Sequence, residues 1–209
     1  MRQDKTGSKR EQELNLLEKE RTHPYRTMLF FGMVGSCLLF LSMAIMFIIW
    51  NSHNPVIENF RLPREFTLST LLLMVSAYTL TLVKKYYTED NDRGILFSLT
   101  GTMILSGLFS IFQLLGWKTM IEQGFYPDKE IGITFVYGIT AVHFIHAAGG
   151  MIYMFYLWLK SFDIWNDPVR SLLYFSNKYE GVRIELFSSY WQVVNGLWIF
   201  IFLTFLFTF

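Results

Sequence analysis

Five long apolar blocks govern what this chain can fold into. They run over about Met28–Trp50, Phe66–Val83, Ile95–Trp117, Ile131–Leu159 and Leu186–Phe209. Most hold about 20 residues, which at about 1.5 Å each cross a hydrocarbon core of about 30 Å. The second is the shortest. The fourth is the longest, so it must tilt or emerge into the aqueous layer. A lone strand in lipid leaves its backbone groups unpaired, and none of the blocks alternates as a barrel strand does. The expected fold is therefore all-α: a polytopic membrane protein whose residues 28–209 form a five-transmembrane-helix bundle. Composition agrees. At 52% hydrophobic and 18% aromatic residues, the chain has too little polar surface for a soluble domain of its size.

A net charge of +1 says little, but its distribution sets an orientation. Seven Lys and Arg precede the first block, three fall in the second loop and four in the fourth, against two in each of the other loops. The positive-inside rule then places the N-terminus in the cytoplasm and the C-terminus in the periplasm. No basic run is dense enough for nucleic acid. Residues 1–27 read as a cytoplasmic arm. Ser8-Lys9-Arg10-Glu11 fits a helix-capping box, and Pro24 closes a short helix over 8–22. This arm either rests on a membrane or partner, or is simply solvated. No cleavable signal peptide is expected, because the first apolar block is too long for one. Cys37 stands alone, which excludes an internal disulfide, and reads as a small apolar filler. The loop Lys160–Glu185 is the only long one, and its Asn166-Asp167-Pro168 is a turn signal.

Within the blocks, Ser98, Thr102, Ser106 and Ser110 recur every four residues. Such a stripe of small residues lets a neighbouring helix pack closely. The deep polar residues are few: Gln113, His143, His146, Gln192 and Asn195, with Glu185 at the entrance to the last block. Intramembrane polar groups face protein or water, so these five are expected to converge in an interhelical polar network. His143 and His146 invite a haem or a metal. A bis-histidine haem needs ligands from opposite faces of the ring, and two histidines three apart on one helix cannot sandwich one iron. A metal would need further ligands, and the deep blocks hold no Asp or Glu. No catalytic or metal-ligating residues are therefore assigned. Two other readings remain: a haem-b-binding membrane anchor of a quinone oxidoreductase, and a free-standing transporter. The transporter lacks the inverted repeats that such folds use.

The fourth and fifth blocks carry two ordered motifs. T-A-V-H-F-I-H-A-A-G at Thr140–Gly149 resembles the T-G-x-H-G-x-H-V-x-x-G signature of subunit III of the haem–copper terminal oxidases. E-L-F-S-S-Y-W-Q-V-V-N-G-L-W-I-F at Glu185–Phe200 resembles that family's E-x-x-x-x-Y-W-H-F-V-D-x-V-W-x-F. Weaker similarity extends back to about Phe31. The departures all remove an ionisable group. The Ser-Glu or Ser-Asp pair of the family's corresponding first helix falls at Leu39-Phe40, and the acid after its third-helix glutamine falls at about Gly116. The histidine and aspartate of W-H-F-V-D are Gln192 and Asn195 here.

The resemblance implies the bacterial five-helix form of subunit III, a non-catalytic chain of an inner-membrane cytochrome c oxidase or quinol oxidase. It implies packing on subunit I, with subunit II nearby, and haem and copper held by those partners rather than by this chain. It also implies bound phospholipid and support of sustained turnover, oxygen access and proton uptake. Arg183, Glu185, Tyr190 and Trp191 are then expected at a cytoplasmic, lipid-adjacent rim.

Overall fold

A computed structural model describes residues 3–54 and 60–208; over 3–23 and at Lys178 it describes the backbone alone. Six helices form: α1 Gln3–His53, α2 Arg64–Thr88, α3 Asp92–Glu122, α4 Ile131–Trp165, α5 Pro168–Ser176 and α6 Lys178–Thr208. Five of them, all but α5, are long and apolar enough to cross a membrane. These match the five apolar blocks.

Local chemistry fixes the turns. Asn91 Oδ1 accepts from the Gly94 amide at 2.9 Å and starts α3. Asp90 just before it takes a left-handed φ of 51°, which its short polar side chain tolerates. Asp167 caps α5 by accepting from the Val169 amide at 2.9 Å, and Pro168 occupies the first turn, where a missing N–H costs nothing.

Two elements differ from the sequence expectation. Pro24 lies inside α1 rather than closing a separate helix. A proline forfeits one backbone bond, and the uninterrupted ladder on either side of it outweighs that loss. The long loop Lys160–Glu185 is nearly all helix. The end of α4, the whole of α5 and the start of α6 occupy it. Charged side chains within a segment do not interrupt a helix, although they end an apolar block.

Helices α2, α3 and α4 pack in chain order, and α6 closes a four-helix ring by contacting both α2 and α4. α1 lies outside this ring, in the groove between α4 and α6. It is the least enclosed span, with 17% of its apolar window buried. The core is aromatic: Phe40, Phe47, Phe109, Trp191 and Trp198 are among its fully buried side chains. α2 and α3 make the most extensive pairing. Thr102 and Thr79 share a hydroxyl hydrogen bond of 2.8 Å across it. A Cβ on Gly94 would lie 2.5 Å from the Tyr86 ring, so that glycine permits the close approach. Ser98, Thr102 and Ser106 are buried, and the hydroxyls of Thr102, Ser106 and Ser110 each donate to the carbonyl four residues earlier. The hydroxyls are thus satisfied within α3. Ser110 also reaches Met151 Sδ on α4, at 3.6 Å.

Candidate functional site

The histidine motif sits where α1, α3, α4 and α6 meet. His143 is fully buried inside a box of rings. Trp198 of α6 lies 4.8 Å away between centroids, Phe109 of α3 stands perpendicular at 6.0 Å, and Phe40 of α1 lies at 6.1 Å. Neither ring nitrogen has a hydrogen-bond partner. His146 is half-buried on the α1 side. Its Nδ1 lies 2.9 Å from the Val142 carbonyl and its Nε2 lies 3.3 Å from Ser36 Oγ. This arrangement does not fit a haem. The faces of His143 are covered by rings from three helices, and a porphyrin on His146 would displace the α1 contact. Among the described residues, no group of three or more His, Cys, Asp or Glu could hold a metal ion.

The other deep polar residues are placed separately. Gln113 is fully buried, with neither amide atom paired. Asn195 is buried and donates to the Trp191 carbonyl on its own helix at 2.6 Å, which leaves Oδ1 unpaired. Gln192 is exposed and donates from Nε2 to the Ala77 carbonyl of α2 at 2.9 Å. No hydrogen bond joins any two of Gln113, His143, His146, Gln192 and Asn195.

Four further interhelical polar links are made by tryptophan. Trp198 donates to Thr70 at 2.9 Å and Trp191 to Ser76 at 3.3 Å, both tying α6 to α2. Trp117 donates to Thr140 at 3.0 Å and Trp158 to Thr100 at 2.9 Å, both tying α3 to α4. An indole offers one donor and a large apolar body, so a single hydroxyl satisfies it at low polar cost. The sequence signal was available in four tryptophans and a surplus of intramembrane Ser and Thr, but pairing them needs the helix register.

Of the three places where the resemblance puts a missing acid, Asn195 keeps a polar side chain, and the other two lie in phenylalanine packing. Phe40 itself touches His143 and His146, the second at 5.4 Å between centroids. A Cβ on Gly116 would lie 3.1 Å from the Phe66 ring, so Phe66 covers that position.

At one rim of the bundle the charges gather. Glu185 pairs with Arg26 of α1 at 3.2 Å and with Lys84 of α2 at 3.4 Å, all three about half-exposed. The buried acid is Glu180, which the sequence reading did not single out. Lys160 of α4 lies 2.7 Å from it, and Arg183 lies 3.3 Å away on the next turn of α6. Lys160 also stands 5.4 Å from the centre of the Tyr174 ring of α5. Burial, and then the Glu180 carboxylate, push the Tyr174 phenol well above its ordinary pKa, so it stays protonated.

Beside this rim, α1, α4 and α6 enclose an open cleft of about 570 Å³. Its wall is apolar, with Leu29, Leu186 and Phe187, and Gly32 and Gly149 leave it wide because neither has an atom near where a Cβ would stand. Arg183 and Tyr190 both line it. The Tyr190 hydroxyl donates to the His146 carbonyl at 2.8 Å, which fixes the floor. Trp191 does not share this setting. It points into the core, fully buried, because it lies one residue, about 100°, further around α6 than Tyr190.

These features define a multi-pass membrane protein with its deep histidine sealed in aromatic rings, a charged rim and an apolar cleft. Comparison with curated proteins shows which proteins it resembles. The chain is 23% identical over 81% of its length to "Cytochrome bo(3) ubiquinol oxidase subunit 3" of Buchnera aphidicola subsp. Baizongia pistaciae, spanning 84% of that protein. It is 28% identical over 71% of its length to "Cytochrome c oxidase subunit 3" of Mycosarcoma maydis, spanning about half of it, 48%. It is 23% identical over 69% of its length to "Probable quinol oxidase subunit 3" of Staphylococcus haemolyticus, spanning 67% of it. No family model matches the chain. The resemblance to oxidase subunit III, carried in the sequence by Thr140–Gly149 and Glu185–Phe200, thus extends over most of the chain.

Proposed function

We propose that this chain is the non-catalytic subunit III of a haem–copper terminal oxidase in a bacterial inner membrane, with its N-terminus in the cytoplasm. The observation that carries this is the shared name of the similar proteins: all are oxidase subunit 3, whether their electron donor is a quinol or cytochrome c. The chain packs on subunit I and lies near subunit II, which hold haem and copper. Its own residues bind no redox group. The sealed box around His143 and the tryptophan–hydroxyl links support a structural role for its core.

In this reading the cleft holds a phospholipid. Its acyl chains lie on Leu29, Leu186 and Phe187, and its phosphate meets the rim cations, Arg183 first. The ordered lipid keeps the partner's membrane face, and hence its oxygen access, unchanged over many turnovers. Support of proton uptake is assigned to the charged rim of Glu180, Lys160, Arg183 and Glu185, since the deep positions where the resemblance puts an acid hold Leu39-Phe40, Gly116 and Asn195, none of them ionisable.

The test is a cleft-filling substitution, Gly149→Phe, in the purified complex. The initial rate of oxygen reduction should stay close to that of the unmodified complex, while retained phospholipid falls and activity decays sooner during continuous turnover. An unchanged lipid content together with an unchanged working lifetime would reject the cleft's role.

A further inference from the structure

The short helix α5 has an apolar face that nothing in the bundle covers. Val169, Leu172 and Leu173 are 66%, 72% and 68% exposed. Their spacing places them on one side of the helix, and Tyr174 on the other side is buried against the bundle. α5 is the most amphipathic of the six helices. We propose that α5 is an interfacial anchor, with its Val169–Leu172–Leu173 face set into the headgroup–acyl boundary of the leaflet through which α4 and α6 leave the membrane.

Four observations select lipid as the occupant. First, tethering keeps α5 at the membrane surface: two residues, Asn166 and Asp167, separate it from spanning helix α4, and Asn177 alone separates it from spanning helix α6. Second, exposed aromatic residues stand at the end of α4, separated from α5 by two residues. Phe162 and Trp165 are each 43% exposed, and Phe162 stacks on Trp158 at 5.9 Å. A tryptophan at the end of a span is the usual mark of the interfacial belt. Third, the charges are arranged for a headgroup layer. Arg170 is held by Asp167 at 3.3 Å and Asp163 at 3.7 Å, so no unpaired ion accompanies the aliphatic face into the boundary. Fourth, three aliphatic side chains expose far less than the roughly 800 Å² per partner of a stable protein interface. That area suits a shallow immersion of about 5–10 Å, the depth typical of surface-lying helices.

The side facing the bundle holds α5 in place. Tyr87 donates to the Asn177 carbonyl at 2.9 Å, and the Tyr87 and Tyr174 rings meet edge to face at 5.6 Å. The Lys160–Glu180 pair lies directly behind. The anchor is therefore coupled through Tyr174 to the rim where α4, α5 and α6 join. It does not depend on the oxidase assignment, only on the spans crossing a membrane.

Spin-label depth measurement tests this. Single cysteines are introduced as Val169→Cys, Leu172→Cys and Leu173→Cys in a Cys37→Ala background. The full chain, with the subunits that copurify, is labelled and reconstituted in phosphatidylcholine vesicles. Asp128→Cys in the opposite loop serves as the aqueous reference, and Phe207→Cys on the exposed face of α6 as the lipid reference. All these positions are exposed, so the labels leave core packing intact. The expected result is that oxygen relaxes labels at 169, 172 and 173 more than a water-soluble nickel chelate does, as at 207. A response dominated by the nickel chelate, as at 128, overturns the proposal because the face is then in water. Shielding from both reagents overturns it too, because a protein then covers the face.

Discussion

At the scale of the residue, four tryptophans contribute more to the polar links between helices than the deep histidines, of which only His146 reaches another helix. Gln113, His143 and Asn195 are buried and at best partly satisfied, whereas Trp117, Trp158, Trp191 and Trp198 each donate to a hydroxyl on a neighbouring helix. Hydrogen bonds between membrane helices are worth about 0.6 kcal/mol on average and about 1.7 at most, because the separated helices find other partners. A double-mutant cycle of Trp198→Phe and Thr70→Val should therefore give a coupling of about 0.6–1.7 kcal/mol in detergent unfolding. A coupling indistinguishable from zero would mean that the indole packs there without a productive bond. The histidines were legible in the sequence as unusual intramembrane groups, but their role was not. Periodicity says that His143 faces protein, and it cannot say that the neighbours on three other helices are all aromatic. Gly116 shows the same limit: the loss of an acid is visible in the sequence, and its cover by Phe66 is a tertiary fact.

At the scale of the element, the rim decides how α4, α5 and α6 join. Both Glu180 and Glu185 make two ion pairs, and they differ in burial. Glu185 and its partners are about half-exposed, so their pairs are screened and worth about 0–1 kcal/mol. Glu180 is enclosed between Lys160 and Arg183, beside Tyr174. Glu180→Ala should destabilise the chain by about 1.5–3 kcal/mol, the range of hydrogen bonds to charged groups. Glu185→Ala should cost less than about 1 kcal/mol. The comparison is made by thermal unfolding of the two variants in the same detergent, and equal losses would contradict a stronger hold by the buried Glu180. The sequence drew attention to Glu185 because it heads the motif at Glu185–Phe200. Glu180 lies in what reads as a long polar loop. Only the helical course of α4, α5 and α6 through that loop brings Lys160 and Glu180 together. The Asn-Asp-Pro turn was readable, since its capping chemistry is local, while α5 was hidden because nine residues with three exposed aliphatics give no block of membrane length.

At the scale of the whole molecule, the five spans follow from length and hydropathy, because lipid permits a segment of about 20 apolar residues few structures other than a helix. Their arrangement does not follow. That α6 closes the ring while α1 lies outside it depends on side-chain shape, as at Gly150 of α4, where a Cβ would lie 2.8 Å from the Trp191 ring of α6. The outlying α1 forms one wall of the cleft. Under the proposed function this chain holds no redox centre and works attached to subunits that do. Affinity purification of the chain after mild detergent extraction, followed by a reduced-minus-oxidised spectrum before and after the subunits are separated, tests it most directly. A haem–copper partner is expected in the intact preparation and no haem signal in the separated chain. Recovery of the chain alone, or a haem b band remaining with it in a one-to-one ratio, would contradict the proposed function.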